Sequence, residues 1–210
     1  MKIEYFGHSC FRITAKNGVS VVTDPYTGVG YELPIGFTAD IVTVSHGHFD
    51  HNYLDGVQGY QTVLTDTDKK EIKGIKFEGI STSHDEQSGK LRGKNIVYKM
   101  EIDGKTVCHF GDLGEACSSE LLEKIGKIDI LLLPIGGKYT IDATQAVEFV
   151  EKIQPAIVIP MHYKPIDGML DIACAQPFLN AFTSFMKTES RGEYLPQITN
   201  ETQIVYMERK

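Results

Sequence analysis

His46-Gly47-His48-Phe49-Asp50-His51 follows directly on the apolar run Ile41-Val42-Thr43-Val44, and this hexapeptide governs how the rest of the chain is read. Three imidazoles and a carboxylate within six residues would each need a partner or solvent, because a buried polar group without one is costly. A metal centre accounts for all of them together. In an extended stretch, side chains at i and i+2 share a face, so His46 and His48 can hold one ion from one side. Asp50 and His51 are adjacent, and Asn52-Tyr53-Leu54 predicts a turn or helix start. The change of direction lets those two side chains reach a second ion, as in two-metal hydrolytic sites.

Seven histidines occur in the chain: His8, His46, His48, His51, His84, His109 and His162. His84 ends the extended, increasingly polar stretch Gly79-Ile80-Ser81-Thr82-Ser83. Asp112 ends the short apolar strand Val107-Cys108-His109-Phe110-Gly111, and His162 closes the apolar run Ala156-Ile157-Val158-Ile159-Pro160-Met161. Each therefore sits at the carboxyl end of a predicted strand. Side chains there are held rigidly and project into a crevice where open sheets bind ligands.

With Gly7-His8-Ser9-Cys10-Phe11, Thr23-Asp24-Pro25, Pro134-Ile135-Gly136-Gly137-Lys138-Tyr139-Thr140 and Pro160-Met161-His162-Tyr163 added, the chain resembles the metallo-β-lactamase superfamily. Within it, the chain is similar to the branch of metal-dependent hydrolases related to L-ascorbate-6-phosphate lactonase. The resemblance implies an α/β fold, an αββα four-layer sandwich of two mixed β-sheets with helices on the outer faces. It implies two divalent cations, with His46, His48 and His84 holding the first, Asp50, His51 and His162 the second, and Asp112 bridging. Asp24 matches the family's aspartate that receives an N–H from a liganding imidazole. His8 matches a position near the site, either as a working group or as a satisfied strand-end histidine. His109 is expected to be buried behind the site rather than a ligand.

The residues themselves point to the same class. Imidazole-dominated ligation suits zinc, and mixed His/Asp sites also accept manganese or iron. The expected chemistry is a metal-activated hydroxide attacking a small ester, lactone or phosphodiester, with Asp50 orienting it and later taking up a proton. A fold of this kind hosts many chemistries, so the motif does not name the substrate. Two other functions share the fold: a di-iron redox module and a nucleic-acid-processing nuclease. The di-iron domains of flavodiiron proteins replace the second histidine by glutamate, whereas His48 is retained here. A nuclease would need a basic binding arm, and none is evident.

With 28 acidic residues against 21 basic and a net charge of −7, nucleic acid is not an expected partner. A small-molecule substrate is, and assembly as a homo-oligomer is compatible with the chain. Basic residues do gather near the expected site: Lys90, Arg92 and Lys94 follow His84, and Lys138 and Lys164 flank other candidate residues. They could be a solvated loop or a lip that draws an anionic substrate toward the metals. Lys138 or Tyr139 could donate to a developing oxyanion, and residues 25–38, long and without periodicity, could act as a lid. No run approaches the ~20 apolar residues that span a bilayer. Cys10, Cys108, Cys117 and Cys174 show no CxxC pairing, so a reducing cytoplasm is the expected location.

Periodicity predicts strands over 2–6, 11–14, 19–23, 41–45, 62–65 and 75–81, then a hairpin of 95–102 and 105–110 turning at Asp103-Gly104. Ser118-Ser119 should cap a helix that Gly126 stops, before a buried strand over 128–133. Asp142 and Gln145 have capping-box spacing ahead of a helix ended by Pro155. The His162 strand, an amphipathic helix over 173–187 and a strand over 202–207 complete one domain covering residues 1–210.

Overall fold

Strand alternation builds the first sheet. In the computed structural model, which describes residues 1–184, 186–187 and 192–210, it comprises β1 (Lys2–Gly7), β2 (Cys10–Thr14), β3 (Ser20–Thr23), β4 (Ile41–Thr43) and β5 (Thr62–Leu64). Successive strand residues face opposite ways. Ile3, Tyr5, Phe11, Ile13, Val21 and Ile41 accordingly enter the main core, while Phe6, Cys10, Val22 and Val42 form a second apolar cluster on the other face. Residues 25–38, the suspected lid, cover that outer face, with Tyr26, Val29 and Phe37 buried in it.

The second sheet contains β6 (Lys70–Ile72), β7 (Ile75–Ser83), β8 (Lys94–Ile102), β9 (Lys105–His109), β10 (Ile130–Pro134), β11 (Ile157–Met161), β12 (Met186–Lys187) and β14 (Gln203–Tyr206). The remaining strand, β13 (Glu193–Tyr194), extends the first sheet beside β1. Strand orders are β13-β1-β2-β3-β4-β5 and β12-β14-β11-β10-β9-β8-β7-β6. Helices α1 (Ser119–Ile125) and α2 (Ala143–Ile153) are the crossovers that parallel pairing of β9, β10 and β11 requires. The result is the αββα sandwich. Its outer layer over the six-stranded sheet is reduced to the 25–38 coil and a 3₁₀ turn at Leu54–Gly56.

Local signals are met where the backbone alone decides. Asp103 and Gly104 both have positive φ, at 53° and 72°, as a two-residue hairpin turn between β8 and β9 needs. The Ser118 hydroxyl accepts from Leu121 N–H, and Asp142 and Gln145 complete a capping box. The helix expected over 173–187 is not formed. Only α3 (Gln176–Leu179) is helical, Met186 and Lys187 join the sheet edge through β14, and position 185 lies outside the described residues. One turn already buries Phe178 and Leu179 against the core, and strand pairing at the edge overrides the helical periodicity beyond them. The short strands β6, β12 and β13 were not expected, since two or three residues carry no periodic pattern. No helix among the described residues is long and apolar enough to cross a membrane.

Strand direction gathers the loops. β3, β4 and β5 are parallel, as are β9, β10, β11 and β14. β1 is separated from β3 by one antiparallel strand, and β7 from β9 likewise, so both run with their parallel groups.

Glu4 fastens the chain's end to β1. Its carboxylate, 1% exposed, receives Arg12 Nε at 2.8 Å and Nη2 at 3.0 Å and also the Lys210 ammonium. Burial works against its charge, but Arg12 and Lys210 outweigh burial and hold it at about 2, below the ordinary 4.5. A depressed carboxyl contributes stability above its unfolded pKa and loses it as pH falls through the folded value. Glu4→Gln should cost about 2 kcal/mol at neutral pH. In urea titrations at stepped pH, its deficit against the parent should shrink between pH 4.5 and about 2. A constant deficit across that window would contradict the assignment.

Candidate metal centre

All the selected histidines and aspartates lie just beyond strands that run one way. His8 follows β1, Asp24 follows β3, residues 46–51 follow β4, His84 follows β7, Asp112 comes after β9 and His162 after β11. The hexapeptide itself is not extended, as its i, i+2 reading assumed. β4 stops at Thr43, and residues 45–51 are bends and a turn in which His51 N–H meets the His48 carbonyl at 3.0 Å. His46 and His48 converge nonetheless, and ring nitrogens of His46, His48 and His84 lie within 4.8 Å of one another. A second set, within the same limit, joins Asp50, His51 and His162 to His8. Asp112 stands between the sets: Oδ2 is 3.3 Å from His84 Nε2 and 3.2 Å from His162 Nε2, and Oδ1 is 3.2 Å from His51 Nε2.

Hydrogen bonds behind the rings fix which nitrogen faces the cluster. Asp24, fully buried, accepts from His51 Nδ1 at 2.8 Å, from Ser45 N at 2.8 Å and from Ser45 Oγ at 2.6 Å. Since the Ser45 hydroxyl hydrogen goes to Asp24, its oxygen accepts from His46 Nδ1 at 2.9 Å. His84 Nδ1 donates to the Tyr139 carbonyl at 3.0 Å. With the proton of each ring assigned to Nδ1 from these partners, the Nε2 lone pairs of His46, His51 and His84 point inward. One aspartate thus orients two imidazoles, one of them through Ser45.

His109 shows the contrasting case. It is fully buried, Nε2 donates to the Ser9 carbonyl at 2.8 Å, and Nδ1 accepts from Gly111 N–H at 3.2 Å. With both nitrogens used by main chain, it ties the turn after His8 to the turn that carries Asp112. Asn95, which the sequence reading did not select, also holds that turn. Its Oδ1 accepts from Asp112 N–H, and its Nδ2 donates to Thr82 Oγ1 and the Phe110 carbonyl. The available signal was a polar residue heading an apolar strand. Close packing here requires Gly111, where a Cβ would sit 2.4 Å from Asn95 Oδ1, and Gly136, where it would sit 2.1 Å from the His162 carbonyl.

The electrostatics call for a cation. Asp24, Asp50 and Asp112 are paired only with histidines; among the described residues no lysine or arginine reaches them. Burial and the neighbouring His51 hold His46 down at about 3, and burial with His162 holds His8 at about 4. Those rings are neutral at pH 7 and have lone pairs to give. Burial opposes ionisation of Asp112, but His162 and His51 draw it well below the carboxylate range. His51 goes the other way: Asp112 and Asp24 outweigh burial and raise it. His46 Nε2 and Asp112 Oδ1 are buried without an aligned hydrogen bond. Each such atom costs about 1–3 kcal/mol. The donor set therefore fits divalent cations.

Around this cluster, Asp85 folds the 85–92 loop by accepting four main-chain N–H groups, from Gln87, Gly89, Leu91 and Arg92. Lys94 Nζ is turned to the Ser88 carbonyl, and Lys138 is paired with Asp171. The Arg92 guanidinium stands 5.5 Å from the Tyr139 ring centroid. Tyr139 touches the cluster through its carbonyl rather than its hydroxyl.

Asp24→Ala leaves two rings without orientation, so cation affinity should fall on the order of 10–100-fold while the fold persists. Competition against a chelating dye reads this directly, and an unaltered affinity would remove Asp24 from the site.

A model of the "Beta-lactamase superfamily domain" family matches residues 2–162. A UPF0173 metal-dependent hydrolase from Thermoplasma volcanium is 34% identical over 194 residues, covering 80% of this chain and 85% of its own. Its counterpart from Thermoplasma acidophilum is 31% identical over 193 residues, with coverage of 80% and 85%. Among solved structures, a protein of the metallo-β-lactamase superfamily from Thermotoga maritima superposes with a TM-score of 0.81 at 34% identity, over 99% of this chain and 98% of that one. The chain belongs to the β-lactamase superfamily of metal-dependent hydrolases.

Proposed function

We propose that the chain is a binuclear hydrolase of small anionic esters, lactones or phosphodiesters. In this reading His46, His48 and His84 hold one divalent cation, Asp50, His51 and His162 hold a second, and Asp112 bridges. The observation that carries it is the pair of donor sets sharing Asp112, with each set within 4.8 Å internally. Two cations so held would bring the pKa of a water toward neutrality and polarise the scissile carbonyl or phosphoryl oxygen. Asp24 orients His46 and His51. Asp50 is 16% exposed where Asp112 is 2%, which supports a role in orienting the attacking water and accepting its proton. The predominance of imidazole favours zinc, with manganese or iron as other candidates. Free cysteines are consistent with a cytoplasmic location.

Of the two cations that line the neighbouring cavity, Arg92 and Lys138, one supports an anionic substrate. Lys138 is neutralised by Asp171, whereas Arg92 has no carboxylate partner among the described residues. Arg92 and Tyr139 line a cavity of about 290 Å³ together with Asp85, the residue that follows His84. A guanidinium braced on an aromatic face is suited to bidentate recognition of phosphate or carboxylate.

Metal analysis after reconstitution should give two ions per chain, and chelation should abolish turnover and lower the melting temperature. Saturation at one ion, with excess metal, would refute the binuclear reading. Asp50→Ala should keep its fold and lose on the order of 10²–10⁴ in kcat on a panel of phosphodiesters, lactones and phosphorylated lactones. Arg92→Ala should lower kcat/KM about tenfold more for a phosphorylated ester than for its uncharged analogue. Equal losses on both esters would leave Arg92 as a surface residue.

A further inference from the structure

His8 departs from the way this molecule treats a structural histidine. Both nitrogens of His109 are bound by main chain. The Nε2 of His8 meets only side chains of the cluster: His51 Nε2 at 3.1 Å and Asp50 Oδ2 at 3.3 Å. His51 has its Nδ1 proton committed to Asp24, so its Nε2 offers a lone pair toward the same point. The His8 ring is 1% exposed and is not a solvated edge group.

Its backbone is held in an unfavourable conformation to keep the ring there. His8 has φ of +51°, directly after Gly7 at +100°. A non-glycine residue in that region is strained, because its Cβ crowds the backbone. Three hydrogen bonds impose it: His8 N–H donates to Tyr31 Oη at 3.0 Å, while Tyr5 Oη at 3.1 Å and His162 N–H at 2.8 Å donate to the His8 carbonyl. The last bond locks the turn of His8 to that of His162.

Donor spacing distinguishes a shared ion from chance proximity. Bonds of ~2.0–2.1 Å place two donors about 2.9 Å apart at a right angle and about 3.3 Å apart at the tetrahedral angle. The His8–His51 and His8–Asp50 separations, 3.1 and 3.3 Å, fall in that interval, as do His51–Asp112 and His162–Asp112, both 3.2 Å. The His51–Asp50 pair is wider, at 3.8 Å, as two of five donors around one ion can be.

We propose that His8 is a direct ligand of the second cation, which is then held by five side chains: His8, Asp50, His51, His162 and Asp112. The proposal rests on the binuclear reading above and extends it. The two positions become unlike. The second has four buried donors beside the half-buried Asp50, while the first, with exposed His48, is the more open to solvent.

The test is calorimetric titration of the metal-free protein with Zn²⁺, paired with diffraction from Zn²⁺-loaded crystals of the parent. Asn is the variant of choice because it tolerates positive φ. The parent should show two binding events, and His8→Asn should weaken one at least tenfold while leaving the other within about threefold. In the loaded parent, anomalous density should place an ion ~2.0–2.1 Å from His8 Nε2. Two events of unchanged affinity in His8→Asn, or an ion beyond ~3 Å from His8 Nε2 in the two-ion parent, would overturn the proposal and spare the binuclear reading. One event and one ion in the parent would overturn both. The diffraction result stands whether or not His8→Asn folds.

Discussion

Three carboxylates at one sheet edge, ion-paired among the described residues with imidazoles alone, are the constraint on which the rest of this structure depends. Among the described residues Asp24, Asp50 and Asp112 find no lysine or arginine, and histidine can balance them only by carrying protons. Burial denies those protons to His46 and His8, and the two carboxylates beside His51 favour positive charge there, which a cation at its Nε2 would supply in place of a proton. A pocket so arranged is short of positive charge until cations enter it, so cation binding and stability are linked. Asp24 gains its importance from this. Through His51 directly and His46 by way of Ser45, it turns two lone pairs inward in one rigid arrangement.

The sandwich makes that arrangement possible by directing strands. Six strand ends from two sheets arrive at one edge, because a single antiparallel strand separates β1 and β7 each from a parallel run and so leaves them running with it. Turns then approach one another closely enough that glycine is needed at Gly111 and Gly136. Main-chain ties complete the frame: His162 N–H to the His8 carbonyl, His84 Nδ1 to the Tyr139 carbonyl, and His109 between Ser9 and Gly111. A cluster held this way needs little reorganisation when ions bind.

Outside the cluster the surface is mixed. Phe49 projects from the hexapeptide, Leu91 from the loop after His84, and Ile166 and Met169 from the loop after His162, all exposed. Arg92, over the Tyr139 ring, is without a carboxylate partner among the described residues, while Lys94 and Lys138 are engaged by Ser88 and Asp171. Surface loops carried on a rigid scaffold are where binding preference is commonly set.

The sequence by itself determined what local chemistry decides. The hexapeptide, the strand-end positions of His84, Asp112 and His162, the Asp103-Gly104 turn and the two helix caps depend on residue type at short range, and the structure has each of them in place. Tertiary structure alone decided the rest. Whether His46 and His48 converge depended on a bend and on His84 from another sheet, not on strand alternation. The roles of Ser45 and Asn95 depended on partners 21 and 17 residues away. The fate of 173–187 depended on an edge strand with room to pair. His8 looked ambiguous because one histidine after one strand carries no period and no spacing. Only the meeting of β1 with β4 and β11 at one edge brings its ring to His51, Asp50 and His162. Short-range propensity is written residue by residue, whereas donor geometry is a property of separate chain segments brought together.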